Sequence, residues 1–150
     1  MIRLLFLSYP ECNEAPMAVS IMEHLISTRG LSEEISADAA IWKGNPLPLA
    51  QEGQDVLKKH GIPLTAKKAF PLKWETYDEY NFILHMSKAD APLFFNTLGG
   101  DVDEKIHLLS EYSTGEEMPN PYKGASFEEA YEEEMTACLR LLKKLEDWVR

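Results

Sequence analysis

The chain has 150 residues, with 25 acidic side chains against 15 basic ones and a formal charge of -10. A length of 150 argues for one domain spanning 1–150 that can bury a core without disulfide or metal staples, and a hydrophobic content of 45% excludes a disordered chain. Residues 1–50 hold six acids and three bases, residues 51–100 six and six, and residues 101–150 thirteen and six, so most of the excess lies in the last third. A surface of that sign attracts no phosphate backbone, which argues against nucleic acid as a partner. No apolar run approaches the roughly 18–20 residues that cross a bilayer. The start, Met-Ile-Arg-Leu-Leu-Phe-Leu, lacks a small-residue cleavage site, and two cysteines, Cys12 and Cys138, are too few for a disulfide framework. These features predict a cytoplasmic protein with no membrane association.

In chain order, Ile2 to Leu7 is a near-continuous apolar run, the pattern of a strand buried on both faces. A polar loop, Ser8 to Ala15, leads to Pro16 in the first turn of a helix. Ala18, Ile21, Met22, Leu25 and Ile26 mark its apolar face, and Gly30 supplies its carboxyl-terminal cap. Ile35 to Ile41 reads as a second strand, and Pro46 and Pro48 keep the Gly44 to Pro48 connection out of helix. Val56 and Leu57 sit in a helix ending at His60-Gly61; Tyr80 to Met86 and Lys105 to Leu109 read as the third and fourth strands. Ser126-Phe127-Glu128-Glu129 is a capping box. It opens a long helix whose stripe is Phe127, Ala130, Tyr131, Met135, Cys138, Leu141, Leu142, Leu145 and Trp148. Glu132, Glu133 and Glu134 fall on its polar side, as a solvated face or an acidic docking surface. The alternation points to an α/β fold with an open parallel sheet.

Ligands of such a sheet bind beyond the carboxyl ends of its strands, where a strand, a loop and a helix amino terminus present N–H groups suited to an anion. The first such loop runs Ser8-Tyr9-Pro10-Glu11-Cys12-Asn13-Glu14-Ala15-Pro16. It lacks the glycines of a nucleotide-binding loop, and its only charges, Glu11 and Glu14, are negative. A helix dipole worth about 0.3–1 kcal/mol per exposed charge does little to offset that repulsion. The backbone favours an anion and the side chains oppose it.

Several stretches in order resemble the low-molecular-weight protein tyrosine phosphatase family. They are the opening Met-Ile-Arg-Leu-Leu-Phe-Leu, Pro16-Met17-Ala18, the segment from Asp55 to Ile62, Ile83-Leu84-His85-Met86, Lys105 to Leu109, and Met118-Pro119-Asn120-Pro121-Tyr122. The resemblance implies a four-stranded parallel sheet with helices on both faces and a phosphate-cradling loop between the first strand and first helix. It also exposes departures. The family's loop reads C-x5-R, then serine or threonine, then proline. Its cysteine attacks as a thiolate, its arginine grips the phosphoryl oxygens, and the aspartate of a D-P-Y sequence protonates the leaving oxygen. Those places hold Ser8, Glu14 and Asn120, with Ala15 for the assisting hydroxyl and Pro10 and Glu11 for a loop glycine and asparagine. The expectation is a catalytically inactive protein that binds or regulates; the alternative is a hydrolase with Ser8 as an unusual nucleophile.

Other groups offer little rescue. The residue six beyond Cys12 is Ala18, not arginine, and Glu11 and Glu14 would raise a thiol pKa. His24, His60, His85 and His107 have no triad or metal spacing, and only His85 falls near the loop. The resemblance places Tyr9, Trp42 and Tyr122 on the rim of the remodelled pocket, with Ser8, Glu11 and Glu14 on its floor and Cys12 and Asn13 beside them. Aromatic walls with carboxylates suit a small cationic ligand or a basic side chain of a partner protein. The competing reading has the pocket closed, with Glu14 turned to solvent or bonding local backbone. No cofactor or metal site is expected.

Overall fold

The computed structural model describes residues 1–9 and 12–149. The first strand, β1 (Ile2–Leu7), lies at the centre of a parallel sheet. Its side chains alternate between two cores, as a strand's period of two requires. Leu4 and Phe6 pack with α1 (Ala15–Thr28) and α5 (Phe127–Val149); Leu5 and Leu7 pack with Tyr77 of α3 (Thr76–Glu79) and Phe94 of α4 (Ala91–Leu98). Helices thus cover both faces, as the apolar run predicts. No helix among the described residues is long and apolar enough to cross a membrane.

On one side β1 pairs with β2 (Ile35–Ile41), from Ile2 opposite Ile35 to Leu7 opposite Ala40. On the other it pairs with β4 (Phe82–His85), which pairs in turn with β5 (Ile106–Leu108). The sheet has five strands rather than four, because β3 (Phe70–Pro71) adds to β2 at Ala40 and Ile41. Two residues carry no readable period, and Pro71, which has no N–H to donate, suits an edge. In the order β3-β2-β1-β4-β5 the chain steps outward on one side of β1 and then crosses to the other. The crevice between the carboxyl ends of β1 and β4 is therefore the topological switch point. Both β1 and the Ser8 loop end there.

Local signals set the helix ends. Gly30 and Gly61 take φ of 68° and 72° after α1 and α2 (Gln51–Lys59). The N–H groups of Leu31 and Ile62 then reach back to the carbonyls of Ile26 and Leu57, at 3.0 and 2.9 Å, while both side chains join the core. These are Schellman closures, which only glycine enters without strain. Ser126 Oγ accepts the Glu129 N–H at 3.0 Å, so the expected capping box opens α5. Two helices escaped the sequence pattern: α3 is a single turn, and α4 is signalled only by Pro92 at its start and left-handed Gly99 at its end.

The stripe of α5 needs two corrections. Trp148 is 58% exposed, whereas Glu134, expected on the polar face, is 2% exposed. Glu134 lies three and four residues from Ala130, Tyr131, Ala137 and Cys138, all buried, so the apolar stripe runs through it. Met135, assigned to the stripe, is only partly buried at its margin.

Leu141→Ala is expected to cost about 2–5 kcal/mol, and Trp148→Ala about 1 kcal/mol or less, both measured by urea unfolding.

Candidate functional site at the carboxyl end of the sheet

Ser8 continues β1 by donating its N–H to the Ala40 carbonyl at 3.1 Å. Its side chain turns inward and is 1% exposed. The hydroxyl oxygen accepts the Ala15 N–H at 3.0 Å, satisfying an orphan donor in the first turn of α1, and lies 3.5 Å from Asn13 Oδ1. The Asn13 amide donates to the Leu47 carbonyl and so ties the loop to the Gly44 to Pro48 connection. Cys12, half-buried, donates its N–H to the Tyr9 carbonyl at 3.1 Å.

Glu14 holds the N-cap position of α1, yet its side chain does not cap the helix. It folds back over the loop, where Oε1 accepts the Tyr9 N–H at 2.7 Å. The residue is 1% exposed, and Oε2 has no partner among the described residues. Burial pushes the carboxyl up to about 8, against the lowering pull of the Tyr9 and Glu14 N–H groups, and Asp90 adds repulsion. At neutral pH the neutral acid therefore predominates. Glu14 is thus not a solvent-facing negative charge.

A second buried acid lies nearby. Burial, and then repulsion from Glu14, pushes Glu134 well above the usual carboxylate range, and its Oε1 also has no partner among the described residues. Burial and then Glu134 push the Cys138 thiol up, consistent with an inert core cysteine. Tyr9 joins this enclosure: it is 7% exposed, its hydroxyl donates to the Met118 carbonyl at 3.0 Å, and burial followed by Glu14 and Glu134 raises the phenol. Tyr9 is thus an interior strut joining the loop to the Met118–Tyr122 segment, not a rim aromatic.

The remaining candidates are spread around this centre. Tyr122 is 45% exposed, its ring 5.8 Å from Phe127; burial raises its phenol, with Glu14 and Cys12 contributing. Trp42 is half-buried; its Nε1 donates to Thr97 Oγ1 at 3.2 Å and the Lys43 ammonium already covers its ring at 4.3 Å. Asn120 Oδ1 accepts the Tyr122 N–H at 2.9 Å, a turn within its own segment. His85 is buried at the end of β4; its Nδ1 lies 3.0 Å from the Ser87 carbonyl, which selects the Nδ1–H tautomer, and burial lowers its pKa. The side-chain oxygen of Ser8 faces Ala15 and Asn13, neither of which is a base. Glu11 and Pro10 lie outside the described residues. Among the described residues, no three His, Cys, Asp or Glu side chains are grouped to hold a metal ion.

The structure therefore brings Ser8, Tyr9, Asn13 and Glu14 into one network, leaves Tyr122 packed on Phe127, and leaves Trp42 and Asn120 bonded elsewhere. Sequence reasoning missed Glu134. Its signal was its position four residues from both Ala130 and Cys138, which are buried.

Glu14 titrates from 4.5 unfolded to about 8 folded, so its effect on stability is absent below pH 4.5 and destabilising as pH rises toward 8. One such proton contributes a slope of about 1.4 kcal/mol per pH unit. Glu14→Gln, which keeps an oxygen for the Tyr9 N–H, is expected to flatten urea-unfolding stability between pH 5 and pH 8 by about that slope. It is also expected to stabilise the chain at the upper end.

Comparison with known proteins agrees with this architecture. Residues 3–150 match the family described as low molecular weight phosphotyrosine protein phosphatase. The Bacillus subtilis low molecular weight protein-tyrosine-phosphatase YfkJ is 29% identical over 154 residues, covering 97% of each chain. The Homo sapiens low molecular weight phosphotyrosine protein phosphatase is 26% identical, with 94% of each chain covered. The crystal structure of Bacillus subtilis YfkJ superposes with a TM-score of 0.90 at 25% identity, over 100% of this chain and 98% of that one. A protein tyrosine phosphatase from Entamoeba histolytica gives 0.87 at 20% identity over 100% of both chains, a likeness of fold. With residues 3–150 matched, the chain belongs to the low molecular weight phosphotyrosine protein phosphatase family.

Proposed function

We propose that this chain is a non-catalytic member of its family, a binding or regulatory module built on the phosphatase fold. One observation carries the reading: the side chain at the arginine's place, Glu14, is a buried carboxyl bonded to the loop's own Tyr9 N–H. Phosphoryl transfer concentrates negative charge on the equatorial oxygens, and a catalyst must present positive charge there. Glu14 is neutral or negative at every pH and never cationic.

The other two departures support the same reading. Ser8 has no comparable anionic fraction near neutral pH, and its oxygen already accepts the Ala15 N–H. The Asn120 carboxamide is far too weak an acid to protonate a leaving group, and its oxygen is engaged with the Tyr122 N–H. The Tyr9 and Ala15 N–H groups are met by the loop's own side chains and so are not free to cradle a phosphoryl group. Binding at this end would then use the outer edge of the loop, at half-buried Cys12 and at Tyr122, which is 45% exposed. A partner protein's basic side chain or a small cation fits an edge of that composition.

The test is an aryl phosphate assay of the parent, Ser8→Ala, and a variant combining Ser8→Cys, Glu14→Arg and Asn120→Asp. The parent and Ser8→Ala are expected at background. Turnover in the triple variant should rise by about a hundredfold or more, as restored general acid and phosphoryl-binding groups imply. Hydrolysis by the parent well above background that Ser8→Ala abolishes would overturn the proposal in favour of a serine-dependent hydrolase.

A further inference from the structure

We infer that a cavity beside the loop, bounded by α2, the 46–49 segment and the 64–69 segment, binds a small apolar molecule carrying a single anionic group, of the aryl alkanoate type. The cavity has a volume of about 300 Å³, at the lower end of the range of small-ligand sites. Its walls are mainly apolar: Pro16, Pro46, Leu47, Pro48, Leu49 and Leu64. Three of those six are prolines, whose fixed backbone angle and short ring leave little freedom to lose when a ligand enters.

Charge complementarity selects the ligand's polar end. In a chain with 25 acids and 15 bases, the lining holds Lys67 and Lys68 and no carboxylate. The Lys67 ammonium is already spent, at 2.7 Å from the Ala37 carbonyl, 3.1 Å from Glu23 and 3.3 Å from Asp38. Lys68 makes no ion pair or hydrogen bond from its ammonium among the described residues and is exposed at the cavity's edge. The Gln54 amide donates to the Leu49 carbonyl at 2.8 Å and Thr65 Oγ1 accepts the Lys67 N–H at 3.2 Å, so these polar groups are partly committed. What remains is an apolar chamber with one unmatched cation at its edge. A carboxylate on an apolar body satisfies both features at once, through burial and a charge-assisted hydrogen bond.

Asn13 forms the wall shared with the loop. The site is nevertheless separate from the loop's chemistry, and the inference holds for a catalytic or a non-catalytic chain alike.

Isotope-labelled full-length protein titrated with phenylbutyrate, and followed by amide chemical shifts, tests the inference. Saturable shifts are expected at Leu47, Leu49, Gln54 and Ala66. Phenylbutanol, the same body without the charge, should bind about threefold or more weakly, as should phenylbutyrate to Lys68→Glu. Ala66→Trp, which fills the cavity, should abolish saturation. Leu64→Asp, at a position 47% exposed and so tolerant of a polar group, should weaken phenylbutyrate binding as a second check independent of the cavity-filling variant. Absence of saturable shifts overturns the inference. So does binding that survives both Ala66→Trp and Leu64→Asp, or equal binding of acid and alcohol that Lys68→Glu leaves unchanged.

Discussion

A parallel strand that hands its chain straight to a helix leaves backbone N–H groups with no partner in either element. In this protein the loop answers with its own oxygens. Ser8 takes the Ala15 N–H, and Glu14 takes the Tyr9 N–H. An unmet buried donor would cost about 1–3 kcal/mol, so each bond stabilises the turn from β1 into α1. The other contacts at this end build on that turn: Tyr9 reaches Met118 and Asn13 reaches Leu47.

Meeting the Tyr9 N–H with a carboxyl has an electrostatic consequence. Glu14 is enclosed with one oxygen unpartnered among the described residues, so burial favours its protonated form. Glu134 reaches the same region from α5 and meets the same desolvation, increased by Glu14. The formal charge of -10 counts both as ionised. At neutral pH both are shifted toward the neutral form, and the acidic character belongs to the exposed residues of the final third. The end of the sheet that would hold a phosphate is therefore an enclosed, proton-bearing polar network.

Much of the fold is legible in the chain. The run from Ile2 to Leu7 marks a strand covered on both faces, and the structure splits its side chains between two cores. Gly30, Gly61 and Ser126 mark helix ends because caps depend on residues within one turn. The fifth strand is illegible because two residues carry no period, and Pro71 reads as a break. Glu134 misled because three consecutive glutamates look like a solvent face, although helical geometry turns each by a different angle. Glu132 is exposed, Glu133 half-buried and Glu134 buried.

The candidate site divides in the same way. The identities Ser8, Glu14 and Asn120, and their order along the chain, are properties of the polymer and define which chemistry is at hand. Whether Glu14 points to solvent or back over the loop is a different kind of fact. So are the protonation of Glu14 and Glu134 and the placing of Tyr9 inside rather than on a rim. Each depends on atoms supplied by β1, α1, α5 and the Met118–Tyr122 segment, which lie far apart in the chain. Desolvation belongs to the enclosure those elements form together, and no local pattern of residues encodes it.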